Sequence, residues 1–156
     1  MEKFIAIDPS TTSTGYSVFV DGALFNYGVL NFAKIKDSEK RMNEMGNAIL
    51  HLLSKEKPDA IYIEKPDGHN QNIAEMLGEM IGCVRAYTIS KKIYFEKIKP
   101  TQWRSWLNLG TGKRDELKQK VLDYVEQTYD IKCEVNDISD AIGIGTAVIK
   151  HYIKEG

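Results

Sequence analysis

The chain has 156 residues, of which 42% are hydrophobic and 28% are charged, as in an ordinary globular protein with one hydrophobic core. Its net charge of −1 argues against a uniformly basic nucleic-acid-binding protein. Two cysteines without a CxxC motif argue against a disulfide framework or a zinc site, and no apolar run is long enough to span a membrane. With no secretory leader at the N-terminus, we expect a single domain over residues 1–156 and a cytoplasmic location.

The first part of the chain predicts three antiparallel strands. The apolar run 3–8 has the character of a strand buried on both faces, and it ends in Asp8. The runs 15–20 and 23–32 are rich in β-branched and aromatic residues and flank an Asp-Gly pair. An Asp-Gly pair between two such runs is typical of a tight hairpin, so these strands should form a meander.

The rest of the chain predicts helices that alternate with two more strands. Apolar residues recur at helical spacing in several segments, and two short β-rich runs separate them. The predicted strands are 60–64 and 93–98, and the predicted helices are 38–57, 71–90, a short helix bearing Trp103 and Trp106, 114–129 and 137–154. This order predicts an α/β fold with a mixed five-stranded sheet flanked by helices.

Four carboxylates are placed so that the predicted fold brings them together. Asp8 ends the first strand and Glu64 ends the fourth, so parallel pairing of these strands would place both at one edge of the sheet. Asp137 and Asp140 lie three residues apart on the last helix and share a face. Each acid alone is more often a turn residue or a partner of the helix dipole. Four converging anions, however, call for a cation, and oxygen ligands favour Mg²⁺ or Mn²⁺.

The last predicted helix contains an unusual number of small residues. Asn136 is expected to cap it. Glycine in a helix interior costs roughly 1 kcal/mol relative to alanine. The small residues therefore indicate close approach of this helix to the sheet; they are Ala141, Gly143, Gly145 and Ala147.

Positive charge is concentrated between residues 91 and 120, where nine Lys and Arg residues stand against three Asp and Glu residues. A surface of this kind can face phosphates, although a solvated helix face is the more common explanation for charge asymmetry alone.

Three segments carry the predicted acids: IDPSTTSTGYSVF at 7–19, IYIEKP at 61–66 and NDISDAIGIGTA at 136–147. In sequence and in order they resemble the motifs of the RuvC family of Holliday-junction resolvases. The resemblance implies an RNase H-like (ribonuclease H/retroviral integrase) fold. It also implies a structure-selective DNA endonuclease that resolves Holliday junctions and related branched DNA, acting as a homodimer in a bacterial or phage-infected bacterial cell.

The resemblance also assigns roles to individual residues. Asp8, Glu64, Asp137 and Asp140 would be the catalytic acids and would hold two Mg²⁺ ions per active site, for which Mn²⁺ would substitute. Lys99, and Lys113 or its neighbour Arg114 after the Gly-x-Gly turn, would be the catalytic cations.

The chain departs from the family in the loop that follows the second acid. RuvC resolvases usually place an aromatic residue there, whereas residues 65–72 contain none. We therefore predict weak sequence preference. Trp103 and Trp106 are candidates for stacking on bases, although burial is the more common role of tryptophan. His69 in the same loop could contact DNA, and an exposed bystander is the simpler interpretation.

Two other functions are compatible with parts of the sequence. A non-catalytic module that binds branched DNA would use the same fold, but retention of all four acids argues against it. A fragment of an actin/Hsp70-like phosphotransferase would explain the DPSTTSTG segment, but 156 residues leave no room for the two halves of that fold. Cleavage of branched DNA with Mg²⁺ distinguishes these possibilities.

Overall fold

The computed structural model describes residues 2–68 and 70–153; His69 and the ends of the predicted 1–156 domain lie outside the described residues. Within these residues every predicted element is present. The strands are Lys3–Asp8 (β1), Ser13–Val20 (β2), Ala23–Asn31 (β3), Ala60–Glu64 (β4) and Tyr94–Ile98 (β5). The helices are Ser38–Glu56 (α1), Gln71–Lys91 (α2), Pro100–Trp106 (α3), Arg114–Tyr129 (α4) and Asn136–Val148 (α5).

The strands form one mixed sheet with the order β3-β2-β1-β4-β5. The pairs β1–β2 and β2–β3 are antiparallel, whereas β1–β4 and β4–β5 are parallel. The hairpin between β2 and β3 has positive φ angles of 51° at Asp21 and 82° at Gly22, as a type I′ turn requires. The predicted meander and the mixed five-stranded sheet are confirmed.

Helices cover both faces of the sheet, and β1 contributes to both cores as predicted. On one face, Phe4 and Ala6 pack against residues of α3, α4 and α5. On the other face, Ile5 and Ile7 pack against α1 and α2. Among the described residues no helix is both long and apolar enough to cross a membrane.

The predicted close approach of α5 to the sheet is confirmed. A Cβ atom on Gly145 would collide with the ring of Phe19 in β2, so only glycine fits there. In the same layer, the hydroxyl of Ser17 in β2 donates a hydrogen bond of 2.6 Å to the carbonyl oxygen of Ala141. The backbone of α5 therefore lies directly against the side chains of Ser17 and Phe19 in β2.

Two expectations about the last helix are wrong. The α-helix ends at Val148, and a π-helical turn, Ile149–Ile153, replaces the predicted continuation. In this turn the His151 ring stacks on Trp106 with centroids 4.1 Å apart, a contact that holds the altered turn against α3. Asn136 is also not the cap: it is the first residue of the helix, and the extended residue Val135 precedes it without a side-chain cap.

Candidate active site

The sheet places Asp8 and Glu64 side by side. Ile7 of β1 pairs in parallel register with Ile63 of β4, so the next residue of each strand emerges at the same edge. Both carboxylates line an open cavity of about 620 Å³, and α5 brings Asp137 and Asp140 to the same cavity. The predicted convergence of four acids is therefore present in the structure.

Asp137 reaches the cavity because β2 has no side chain in its way. A Cβ atom on Gly15 would overlap the backbone carbonyl group of Asp137. The hydroxyl of Ser13, two residues earlier on β2, donates a hydrogen bond of 2.5 Å to Asp137 Oδ2. Sequence analysis did not identify Gly15 or Ser13, since their partner lies more than a hundred residues away in the chain.

Glu64 is held from the opposite side. Trp103 of α3 is fully buried, and its Nε1–H donates a hydrogen bond of 2.7 Å to Glu64 Oε2. Trp103 is therefore not available to stack on DNA bases. The structure supports the alternative expectation, that Trp103 is a buried residue. Trp106 is half-buried against His151.

The clustered carboxylates perturb one another. Burial, followed by the charges of Glu64, Asp140 and Asp137, raises the pKa of Asp8 well above its usual value. Burial and the charge of Glu64 raise the pKa of Asp140 to about 7, against the opposing effect of Arg104 and Lys118. A bound cation would stabilise the ionised form of these carboxylates, which burial and mutual repulsion disfavour.

The positively charged residues around the cavity include one candidate from the sequence, Arg114, and two residues that were not candidates. Arg104, Arg114 and Lys118 line the cavity. Lys99 and Lys113 are exposed residues at the N-termini of α3 and α4, and neither is among the described residues that line it. Of the two residues left open after the Gly-x-Gly turn, the structure therefore brings Arg114 to the acids.

A signal for Lys118 was present in the sequence. It lies four residues after Arg114, so the two share one face of α4 and reach the same cavity. Arg104 follows Trp103 on a short helix that leaves the same edge of the sheet, but its orientation depends on how α3 packs. Its Nε atom is buried and has no hydrogen-bond partner among the described residues.

The donor set suits a hard divalent cation, because the four candidate ligands offer only carboxylate oxygens. In the part of the chain that the structure describes, however, no three acidic, histidine or cysteine side chains have an arrangement that could hold a metal ion. Ser13 and Trp103 hold two of the carboxylates by hydrogen bonds. Metal binding at this cavity would therefore require small side-chain rotations.

Comparison with known proteins places the chain in a family. The model of the family described as crossover junction endodeoxyribonuclease RuvC matches residues 4–150. Two proteins of that name from Prochlorococcus marinus are similar in sequence. The one from strain MIT 9312 is 26% identical over 148 residues, covering 91% of this chain and 92% of the relative. The one from strain AS9601 is 25% identical over 148 residues with the same coverage.

Solved structures share the fold. RuvC from T. thermophilus, in complex with a Holliday junction substrate, superposes with a TM-score of 0.76 at 17% identity and covers 100% of this chain and 97% of that chain. The Fowlpox virus resolvase, in complex with Holliday junction DNA, superposes with a TM-score of 0.70 at 14% identity and covers 97% of this chain and 99% of that chain. The RNase H-like fold is thereby confirmed, and the chain belongs to the RuvC family of crossover junction endodeoxyribonucleases.

Proposed function

We propose that this protein is a structure-selective endonuclease that resolves Holliday junctions and related branched DNA by metal-dependent phosphodiester hydrolysis. The observation that carries the proposal is the convergence of Asp8, Glu64, Asp137 and Asp140 in one cavity, within a chain of the RuvC family. Residues 1–156 would act as one nuclease domain. The family match favours catalysis over a non-catalytic DNA-binding module and over a phosphotransferase fragment.

The four carboxylates would hold two Mg²⁺ ions, with Mn²⁺ able to substitute. In such sites divalent ions activate water for attack and neutralise charge on the leaving oxygen. The chain's own residues would orient the ligands. Ser13 fixes Asp137, Trp103 fixes Glu64, and Asp8 lies between them with only 8% of its surface exposed.

Arg104, Arg114 and Lys118 would bind the DNA phosphates and offset charge that develops on the scissile group. Lys118 already acts on the electrostatics of the cavity, since it lowers the pKa of both Asp8 and Asp140 against their burial. Lys99 and Lys113 would contact the DNA backbone farther from the cleaved bond. The expectation that they are catalytic stays a prediction, and their positions outside the described lining of the cavity favour a supporting role in binding.

The decisive test is cleavage of a four-way junction by the wild type and by Asp8→Asn. The wild type should cut the junction with Mg²⁺ and leave linear duplex largely uncut, and it should not hydrolyse ATP. Asp8→Asn should lose cleavage while it still binds the junction in Ca²⁺ or EDTA, because phosphate contacts do not depend on the acid. Full activity in Asp8→Asn would exclude this cavity as the active site.

Homodimer formation is part of the proposal, and α2 offers a surface for it. Four small residues spaced by four lie exposed along one face of this helix: Ala74, Gly78, Gly82 and Ala86. Among the described residues, no atom outside the adjoining residues and the helix's own backbone lies within 4 Å of the place that a Cβ atom would occupy on Gly78 or Gly82, so packing within one chain does not require these glycines. Each lowers helix stability by roughly 1 kcal/mol, which close packing against the same helix of a second copy would explain.

Met80 of α2 does not belong to this surface. Its side chain is 1% exposed and packs in the core of the single chain. Met76 and Ile81 are partly buried against the same core. The interface would therefore use the small residues of α2 rather than its methionines.

Analytical ultracentrifugation tests the interface. Gly82→Leu should convert a wild-type dimer into a monomer, because a leucine side chain holds the two helices apart. Gln119→Leu, an exposed change of similar kind on α4, should leave the dimer intact. A Gly82→Leu protein that remains dimeric would exclude α2 as the interface.

We place the protein in the cytoplasm, consistent with its two free cysteines and its proposed DNA substrate.

A further inference from the structure

The indole ring of Trp103 is buried and closely packed on several sides. It is the largest fully buried side chain of the described residues. A Cβ atom on Gly143 of α5 would lie 3.0 Å from its ring atom Cζ3 and 3.4 Å from Val121 of α4. The glycine thus makes room for the indole, and three helices fix its orientation.

The polar atom of this fixed ring is directed at the cavity. An indole N–H can donate a hydrogen bond but cannot accept one, and a buried donor requires an acceptor. The acceptor is Glu64 Oε2 at 2.7 Å, a length typical of a bond to a charged oxygen. Since the ring is held by packing and the Glu64 side chain is the more exposed partner, the ring restricts where the carboxylate oxygen Oε2 lies.

We propose that Trp103 is a positioning residue for Glu64 and sets how strongly the acid cavity binds a divalent cation. This inference rests on the proposed metal-dependent function. A residue of this kind does not touch the metal or the DNA; it restricts the rotation of a ligand. Loss of such a partner typically weakens metal affinity or activity about 10–100-fold. Gly143 contributes to the same arrangement, because a methyl group there would displace the indole from its present position.

The experiment measures binding of Mn²⁺ alone to DNA-free protein by calorimetry, which is independent of cleavage. Two variants remove the N–H: Trp103→Phe, and replacement of Trp103 by 3-benzothienylalanine, which keeps the two-ring shape. Both should bind Mn²⁺ about ten-fold more weakly than the wild type. Val121→Ala is the matched control: it removes packing from the same cluster without touching an acid, so it should lower the melting temperature and leave Mn²⁺ affinity unchanged.

The results separate this inference from the proposed function. If the wild type binds no Mn²⁺, both are overturned. If the wild type binds Mn²⁺ and the benzothienylalanine protein binds it equally well, only the role of Trp103 is overturned. The benzothienylalanine result decides the question if Trp103→Phe fails to fold. Weakening by the same factor in Val121→Ala would also overturn it, since general loss of packing would then explain the effect.

Discussion

Replacement of Asp140 by asparagine should stabilise the metal-free protein. The pKa of Asp140 is about 7 instead of the ordinary 3.8, because burial and the charge of Glu64 oppose ionisation. At about 1.4 kcal/mol per pKa unit, full ionisation of this group at pH 8 costs the fold up to about 4 kcal/mol. Asparagine removes the charge but leaves a polar amide to bury, so we expect a gain of about 2 kcal/mol. For a chain of this length that corresponds to about 4–8 °C in melting temperature.

The gain should depend on pH in a defined direction. A carboxyl group whose pKa is raised on folding contributes stability that is fully present below its unfolded pKa and is lost as the pH rises through its folded pKa. For Asp140 this window runs from about pH 4 to about pH 7. The wild type should therefore approach the stability of Asp140→Asn as the pH falls from 8 to 5. Asp8, whose pKa is also raised, acts in the same direction.

The assay is thermal unfolding in EDTA at pH 8 and at pH 5, with Asp123→Asn, an exposed aspartate of α4, as the control. Asp140→Asn should melt several degrees above the wild type at pH 8 and close to it at pH 5, while the control should not change. Added Mg²⁺ should stabilise the wild type more than the variant, because the variant lacks a ligand. Equal destabilisation of Asp140→Asn at both pH values would refute the reasoning and assign Asp140 an ordinary structural role.

Three further outcomes test the site and its selectivity. Lys118→Ala should slow cleavage on the order of 100-fold. Lys113→Ala should act mainly by weakening DNA binding in a salt-dependent way. Equal losses of rate in single-turnover cleavage assays would contradict these different roles. Gly15→Ala should lower the free energy of unfolding by about 2–3 kcal/mol in urea titrations and reduce cleavage, because the added methyl group displaces the backbone of Asp137. Gly28→Ala, which meets only the tip of a tyrosine side chain, should be milder. Nick mapping on mobile junctions and fixed forks should show positions that follow the branch point, and cleavage confined to one short consensus would exclude the predicted weak sequence preference.

Local patterns in the sequence were sufficient for the secondary structure and for the acids. A strand buried on both faces requires an uninterrupted apolar run, and Asp8 and Glu64 stand out because each ends such a run. The Asp-Gly turn was equally clear, because few residues adopt positive φ angles without strain. These features depend on neighbours in the chain, so they can be recognised before any tertiary contact is known. The end of α5 could not be, because its π-helical turn packs against Trp106 of a different helix.

The choice of charged and supporting residues required the tertiary structure. Lys99 and Lys113 lie in the basic segment that the sequence indicated, but each precedes a helix whose packing directs other cations, among them Lys118, into the cavity. The indole of Trp103 meets Glu64 across 39 residues, and Gly15 meets the helix that carries two of the acids. Composition and spacing report which residues the chain possesses. Only the packing of α3, α4 and α5 on the sheet decides which of them share a cavity, because hydrogen bonds and charge interactions act over a few ångströms of space regardless of separation in sequence.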